Sequence, residues 1–319
     1  MYTYSMTEID TLNILPLDAR VSLKEEIRRG LFSDKKTVAK RLGISVVQVE
    51  KWLKGINNPS LEQLKLMGVN LSNLWEFIES FNLEGGRYKV KLQKKLDLED
   101  CFWILGISEG DGVNRKRVVG VTNQEKEIIS QFIRKVTRMS INELRLTIKV
   151  NSLDEVDISQ VSQVFGIPKE KIKVVLFSFK TNKPIFQVFT PSRLIRRMFD
   201  KLLEMIENRP QDFNLSKFLQ GFFDAEGCIT NKSVKITQKT INGGMKRMQF
   251  ISKILTSLGI AHSFLVDKNN VITIRLKGGK SNLDNLKRFK KLVGFSHPEK
   301  AHKLDELIKG LDGLPELIT

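Results

Sequence analysis

Two stretches of the sequence end in acids and glycines at matching positions. They read FWILGISEGDG at residues 102–112 and FLQGFFDAEG at residues 218–227. When the two are laid over each other without a gap, Asp111 meets Glu226. A carboxylate at the C-terminus of a helix lies at the unfavourable end of the helix dipole, and two such carboxylates side by side also repel each other. A divalent cation such as Mg²⁺ would offset both costs, since it prefers hard carboxylate oxygens.

Small residues indicate how the two acids are brought together. Gly106 and Gly110 are four residues apart, and so are Gly221 and Ala225, which places each pair on one face of a helix. Glycine inside a helix costs about 1 kcal/mol relative to alanine, so its use here indicates another requirement. We expect the two helices to touch at Gly106 and Gly221, which sets their terminal acids next to each other.

Both segments resemble the motif of the LAGLIDADG homing endonucleases. GISEGDG and GFFDAEG keep its small residue and its acid before the closing glycine. The resemblance covers roughly residues 88–312 and implies an α+β fold, in which two pseudo-symmetric αββαββα repeats form a concave DNA-binding saddle. It also implies a site-specific endonuclease that uses Mg²⁺ or another divalent cation to hydrolyse phosphodiester bonds in double-stranded DNA. Two motifs in one chain imply a monomer with internal pseudo-two-fold symmetry.

The resemblance further implies polar and basic side chains beside the acids, which position the attacking water and stabilise the leaving group. Gln238 in ITQKT matches the water-positioning glutamine, and Asn123 in VTNQ occupies the equivalent place. Lys277 and Lys300 are both candidates for the helper lysine. When PIFQVFTPS is aligned with VITIRLKGG, Thr190 falls opposite Lys277, so the first copy lacks this helper. The expected metal site comprises Asp111, Glu226, Gly110 and Ala225. The acids two positions earlier, Glu109 and Asp224, are expected to satisfy local polar groups.

Residues 35–54, KKTVAKRLGISVVQVEKWLK, predict a helix, a tight turn and a second helix. Gly43 supplies the positive φ that a sharp turn needs, and Ser45 suits the N-cap of the second helix. The pattern resembles the helix-turn-helix of phage-repressor-like regulators, whose second helix enters the major groove. The positions expected to contact DNA there are Gln48, Lys51 and Lys54.

The patterns around the motifs predict the domain organisation. After the second motif the order reads helix, two strands, helix, two strands, helix. The first copy follows suit, with RVVGVTN as a strand, QEKEIISQFIRKV as a helix, then ELRLTIKV, KIKVVLFSF and PIFQVFT as strands, and an inserted helix between them. On the strands of the second copy, the resemblance places alternating polar residues over the DNA grooves, among them Lys235, Lys239 and Arg275. We expect a small all-α helix-turn-helix domain and two repeats, at residues 1–84, 88–208 and 209–319, with a short flexible joint at LEGGR.

The charge balance favours an anionic partner. The 53 Lys and Arg residues outnumber the 36 Asp and Glu residues, which gives a formal charge of +17 and a pI near 9.8. Such an excess attracts phosphate backbones or anionic membranes. The apolar runs fall far short of the roughly 20 residues that a spanning helix needs, so no membrane partner is expected. With only Cys101 and Cys228, a reducing cytoplasmic setting, associated with the nucleoid, is expected.

Two other functions fit part of the pattern. A bacterial sporulation regulator family also joins a LAGLIDADG-like fold to a helix-turn-helix, but at its C-terminal side and commonly without the acids. Here both acids are present and the helix-turn-helix is N-terminal, which favours cleavage over a non-cleaving regulator. Help in splicing intron RNA, as an intron-encoded maturase, is the third possibility. An intein host is not expected, because Met1 supplies no N-terminal nucleophile.

Overall fold

The N-terminal region combines short helices with paired strands. A computed structural model describes residues 6–112, 118–141, 143–153, 156–178, 183–230, 232–241, 243–276 and 279–313. The elements up to residue 82 are β1 (Glu8–Asp10), α1 (Thr11–Ile14), β2 (Arg20–Leu23), α2 (Glu25–Phe32), α3 (Lys35–Leu42), α4 (Val46–Leu53), α5 (Leu61–Leu66) and β3 (Ile78–Asn82). The prediction of an all-α domain is wrong, because β2 precedes the helices α2 to α5 along the chain, β3 follows them, and the two strands pair antiparallel. The strand β2 buries three of its four residues in succession, so it shows no alternation that a sequence pattern could reveal.

The turn between α3 and α4 has the conformation that its sequence predicts. Gly43 adopts a φ of 64° and ends α3, while the Ser45 hydroxyl accepts a hydrogen bond of 3.2 Å from the Gln48 amide. Val49 and Trp52 are fully buried. The two helices therefore pack around a tight turn with a buried inner face.

Two backbone pairings connect the N-terminal region to the first repeat. β1 pairs antiparallel with β4 (Lys95–Asp97), and the Thr7 carbonyl accepts a hydrogen bond of 3.0 Å from the Leu98 amide. Phe81 and Val90 exchange two backbone hydrogen bonds of 2.8 Å. The stretch between them, expected as a flexible joint, is a closed turn.

The first repeat contains the four strands and the inserted helix that its sequence patterns predict. Its elements are α6 (Leu98–Gly110), β5 (Val119–Asn123), α7 (Lys126–Arg138), β6 (Arg145–Val150), α8 (Ile158–Phe165), β7 (Ile172–Leu176), β8 (Ile185–Thr190) and α9 (Arg193–Asn208). The sheet order is β5-β8-β6-β7, and β6 pairs parallel with β7. A parallel pair needs a crossover connection, and α8, the inserted helix that the sequence predicts, provides it. Among the described residues this copy therefore has one strand before α7 and three after it, with α8 inserted, where the αββαββα pattern has two and two.

The second repeat has the predicted order of elements and one further helix at its end. It comprises α10 (Ser216–Glu226), β9 (Cys228–Thr230), β10 (Ser233–Lys239), α11 (Gly244–Ser257), β11 (His262–Val266), β12 (Val271–Leu276), α12 (Leu283–Leu292) and α13 (Pro298–Asp312). Its sheet is antiparallel throughout, in the order β11-β12-β10-β9. Val234, Ile236 and Ile274 bury one face of the sheet, and Lys239 and Arg275 are exposed on the other.

The helices α6 and α10 pack with their backbones in contact. A Cβ atom placed at Gly106 would overlap the carbonyl oxygen of Phe218. One placed at Gly221 would overlap the Trp103 carbonyl oxygen and lie 2.9 Å from the Ile107 nitrogen. The prediction that these two glycines allow the helices to touch is confirmed. None of the helices in the described ranges is long and apolar enough to cross a membrane.

Candidate active site at the ends of the paired helices

The contact between α6 and α10 places two carboxylates side by side. Asp111 follows α6 directly, and Glu226 is the last residue of α10. A Cβ atom at Gly110 would lie 3.1 Å from the Glu226 Cγ, so the two helix ends touch. Burial raises the pKa of Asp111, and the negative charge of Glu226 adds to the effect, bringing this pKa to about 6.

Each carboxylate accepts a hydrogen bond from an amide side chain on a following strand. The Asn123 Nδ2 donates to the Asp111 Oδ2 at 3.2 Å, from the end of β5. The Gln238 Nε2 donates to the Glu226 Oε1 at 3.1 Å, from β10. In both copies the amide follows its acid by 12 residues. The structure therefore brings together the two acids and the two amides named from the sequence.

Lys300, on α13, lies next to the acid of the second repeat. Its Nζ contacts the Asp224 carbonyl oxygen at 2.5 Å and the Ala225 carbonyl oxygen at 3.1 Å. Burial lowers the pKa of Lys300, whereas the nearby carboxylates, Asp111 first among them, oppose this shift. Lys300 supplies a positive charge at the helix end, where the backbone dipole is negative. The other candidate, Lys277, lies outside the described residues.

The strand register changes one correspondence between the repeats. Asn123 pairs with Phe186 and Val119 with Thr190, whereas Gln238 pairs with Ile272. If the two amides are equivalent, Thr190 corresponds to Leu276 and not to Lys277, so the sequence alignment was one residue out of register. An ungapped alignment of two apolar strands contains no feature that fixes this offset.

The acids two positions before the site residues bind neighbouring polar groups of the protein, as predicted, although these groups come from distant parts of the chain. Asp224 is fully buried and accepts hydrogen bonds from the Ser296 amide at 2.8 Å, the His297 amide at 3.1 Å and the Trp103 indole at 2.9 Å. Glu109 forms an ion pair with Arg247 at 3.0 Å. Ser296 and Arg247 were not predicted from the sequence, because both come from elements distant along the chain and neither stands in a recognisable motif.

The residues expected to contact DNA lie on exposed surfaces. In the sheet of the second repeat, Lys235 is directly opposite Arg275 in register, and Lys239 is exposed at the end of β10. On α4, Lys51 and Lys54 are exposed and Gln48 is half-buried. The first sheet has a further polar face that no sequence motif indicated, formed by Arg145, Thr147, Lys149, Lys173 and Gln187.

The donor set suits a divalent cation. In the described part of the chain, no three His, Cys, Asp or Glu side chains cluster as a metal site. The available ligands are thus the Asp111 and Glu226 carboxylates with backbone oxygens near Gly110 and Ala225. Hard carboxylate oxygens are the ligands that Mg²⁺ prefers, and a cation would relieve the repulsion by Glu226 that adds to the effect of burial on the pKa of Asp111.

The raised pKa of Asp111 predicts a pH-dependent effect of its replacement. The folded chain binds this proton more tightly than an unfolded chain, whose aspartate pKa is near 3.8. The resulting stabilisation is present below that value and is lost as the pH rises through about 6. In EDTA, Asp111→Asn should therefore raise the melting temperature by about 3 °C at pH 7.5 and leave it unchanged at pH 4. A shift of equal size at both pH values would contradict this assignment.

Comparisons with known proteins agree with this architecture. Residues 214–294 match the family model described as a LAGLIDADG-like domain. Over 93 residues the chain is 28% identical to the homing endonuclease I-ApeI of Aeropyrum pernix, which covers 29% of this chain and 40% of that protein. Over 291 residues, 85% of the chain, it is 22% identical to the probable translation initiation factor IF-2 of Thermococcus kodakarensis and spans 22% of its length.

Among solved structures, I-DmoI in complex with DNA and Ca is similar, with a TM-score of 0.42 and 18% identity over 65% of this chain and 97% of that chain. The complex with DNA and Mn gives 0.40 and 16% over 61% and 96%. The chain spans less than half the length of each of the two curated relatives, the homing endonuclease I-ApeI and the probable translation initiation factor IF-2. Residues 214–294 are thus similar to a LAGLIDADG-like domain, and a stretch of 93 residues is similar to a homing endonuclease.

Proposed function

We propose that the chain is a site-specific endonuclease for double-stranded DNA. The observation that carries this proposal is the pair Asp111 and Glu226, two adjacent carboxylates at the ends of touching helices, each hydrogen-bonded by an amide. The match to a protein named as a homing endonuclease supports it. We further propose that the chain acts as a monomer, because one chain supplies both acids.

In this proposal the chain's own residues prepare the reacting phosphate. Asp111 and Glu226, with backbone oxygens near Gly110 and Ala225, would hold Mg²⁺ or another divalent cation. When bound, such a cation activates water and stabilises the leaving oxygen in phosphodiester hydrolysis. Asn123 and Gln238 orient the carboxylates and present hydrogen-bonding groups to water. These roles require both carboxylates to be ionised, and protons compete with the cation for Asp111, whose pKa in the metal-free chain is about 6. Activity should therefore fall as the pH is lowered, and the fall should move to lower pH at a higher cation concentration.

Lys300 should contribute to cleavage through its position. Replacement by methionine keeps the length of the side chain but removes the charge that contacts the carbonyl oxygens of Asp224 and Ala225. We expect Lys300→Met to slow single-turnover cleavage about a hundredfold, the range of a positioned proton donor or acceptor. Lys303→Met is the matched control, since Lys303 lies on the same helix, is exposed and pairs with Glu299. Equal rates for the two variants would contradict a catalytic role.

The exposed cations support DNA as the substrate. Like charges directly opposite each other in a sheet destabilise it, so Lys235 facing Arg275 indicates an anionic partner on that face. The face of the first sheet that carries Arg145, Lys149 and Lys173 has the same character. We propose that both faces contact the DNA backbone and that α4 adds a second contact.

The contact by α4 can be tested through salt dependence. Each lysine that neutralises a phosphate contributes about one to the slope of log affinity against log salt concentration. Lys51→Ala combined with Lys54→Ala should therefore lower this slope by about two and weaken binding to any sequence alike. Lys309→Ala, on an exposed position of α13, should leave the slope unchanged. An unaltered slope in the double variant would exclude α4 from the interface.

One experiment separates cleavage from binding alone. A supercoiled plasmid carries the joined DNA segments that flank the coding sequence, and it is incubated with the chain in Mg²⁺ or in EDTA. Linear product in Mg²⁺ and none in EDTA is the expected result. Retarded but uncut DNA in every divalent cation would favour a transcriptional regulator, in which α3 and α4 would act as a helix-turn-helix. Binding of the intron transcript with no action on DNA would favour the maturase.

A further inference from the structure

One arginine connects the two repeats beside the active site. Arg247, near the start of α11, directs its Nε to the Glu109 Oε2 at 3.0 Å. Its Nη1 donates to the Gln238 Oε1 at 3.2 Å, and the Gln238 Nε2 donates to the Glu226 Oε1 at 3.1 Å. A continuous chain of polar contacts thus runs from the end of α6, in the first repeat, to the terminal carboxylate of α10, in the second.

The chemistry of these groups fixes the orientation of one amide. A glutamine side chain has an acceptor oxygen and a donor nitrogen, and only one orientation offers the nitrogen to a carboxylate. Arg247 has donors only, so its hydrogen bond can be made only to the oxygen of Gln238, which leaves the nitrogen for Glu226. Arginine also suits a bridging position, because its planar group donates in several fixed directions.

Glu109 holds this arginine in place. Its side chain is 10% exposed and that of Arg247 is 27% exposed, so water screens the ion pair only in part. Arg196 approaches the other oxygen of Glu109, but at 3.7 Å. Glu109 lies two residues before Asp111. The residue that holds Arg247, and through it the Gln238 amide on Glu226, therefore belongs to the helix that leads to Asp111.

The first repeat orients its amide in another way. The Asn123 Oδ1 accepts a hydrogen bond of 2.9 Å from the backbone amide of Glu125, and its Nδ2 donates to Asp111. The Glu125 backbone amide thus fixes the orientation of the Asn123 side chain, as Arg247 fixes the orientation of the Gln238 side chain. Only the second of these two arrangements depends on a side chain from the opposite repeat.

We infer that Arg247, anchored by Glu109 of the first repeat, is a positioning residue that fixes the amide of Gln238 on Glu226. The effect of Arg247 on cleavage rests on the proposed nuclease function. Its effect on the orientation of the Gln238 amide does not, because that effect concerns contacts in the DNA-free chain. One measurement therefore tests the orientation of the amide, and a second tests the effect on cleavage.

The first measurement follows the Gln238 amide directly. In the ¹⁵N-labelled full chain, the side-chain NH₂ signal of Gln238 is assigned from its loss in Gln238→Ala. Arg247→Met and Glu109→Gln should both move this signal towards the position of a free amide and speed its exchange with water. Lys246→Met is the matched control, because Lys246 precedes Arg247, is exposed and pairs with Glu207. An unmoved signal in folded Arg247→Met would overturn the inference, and Arg247→Lys replaces that variant if it does not fold.

The second measurement is the single-turnover rate of cleavage of the flank-bearing plasmid. Arg247→Met should lower this rate roughly 10- to 100-fold, the range for residues that orient a metal's ligands. Gln238→Ala should lower it as well, and adding Arg247→Met to Gln238→Ala should cause no further loss. Additive losses, or a parental rate in Arg247→Met, would overturn the positioning role. A parent chain that cuts no DNA would refute the nuclease proposal and leave the amide measurement as the test.

Discussion

Asp111→Asn and Glu226→Gln should each reduce Mg²⁺-dependent strand cleavage by about a thousandfold. Each change keeps the size of the side chain and replaces a charged oxygen ligand with a neutral amide. The stabilisation of transition-state charge by a bound metal is worth several kcal/mol, and losing about 4 kcal/mol corresponds to this factor in rate. The measurement is the single-turnover rate at saturating protein, with binding followed in Ca²⁺ by gel retardation.

The design of this experiment separates chemistry from folding and binding. Glu99→Gln is the control, because Glu99 is an exposed acid in the first turn of the helix that leads to Asp111. It should cut at the parental rate. Because both acids hold one ion in the proposal, the double variant should lose little more than either single variant. Retention of more than a tenth of the parental rate by either single variant would remove the basis for the proposed function.

Gly221→Ala should destabilise the fold by about 3 kcal/mol or more, at the upper end of the range for an overpacked core. A Cβ atom at this position would overlap the Trp103 carbonyl oxygen and lie 2.9 Å from the Ile107 nitrogen. Both neighbours are backbone atoms of α6, so neither can move without shifting the helix that ends at Asp111. The free energy of unfolding, measured by urea denaturation, should therefore fall sharply, and activity should fall with it at any temperature.

A second glycine provides the comparison for this stability test. Gly30 lies in α2, and nothing is within 4 Å of the place where its Cβ would be. Gly30→Ala should stabilise the chain by about 0.5–1 kcal/mol, since alanine is the better helix former. If Gly221→Ala were as well tolerated as Gly30→Ala, the close approach of α6 and α10 would be wrong.

The part of the site that the sequence predicts is the part determined over short stretches of chain. Gly106 and Gly221 each lie four residues before a second small residue, Gly110 or Ala225, and a close helix pair explains glycine there. Asn123 and Gln238 were named from the family resemblance, and each follows its acid by 12 residues, so local connectivity brings it beside its carboxylate.

The relations that the sequence could not predict involve partners far apart along the chain. Lys300 reaches the site from a helix more than 70 residues beyond Ala225, and no pattern distinguished it from Lys277. Arg247 meets Glu109 across 138 residues. The error about the all-α N-terminal region has a similar cause, because β2 and β3 are short and pair over a long separation, so neither has a periodic signal.

The pairing of β1 with β4 limits how the chain can be shortened. A fragment that began after the closed turn between Phe81 and Val90 would lack the strand Glu8–Asp10. It would also lack the Thr7 carbonyl, which accepts a hydrogen bond from the Leu98 amide. It would also lose Ile9, which is buried in the common core. An isolated catalytic fragment would therefore need residues 6–15 supplied in some form, for example as a separate peptide or by moving that segment in a rearranged gene.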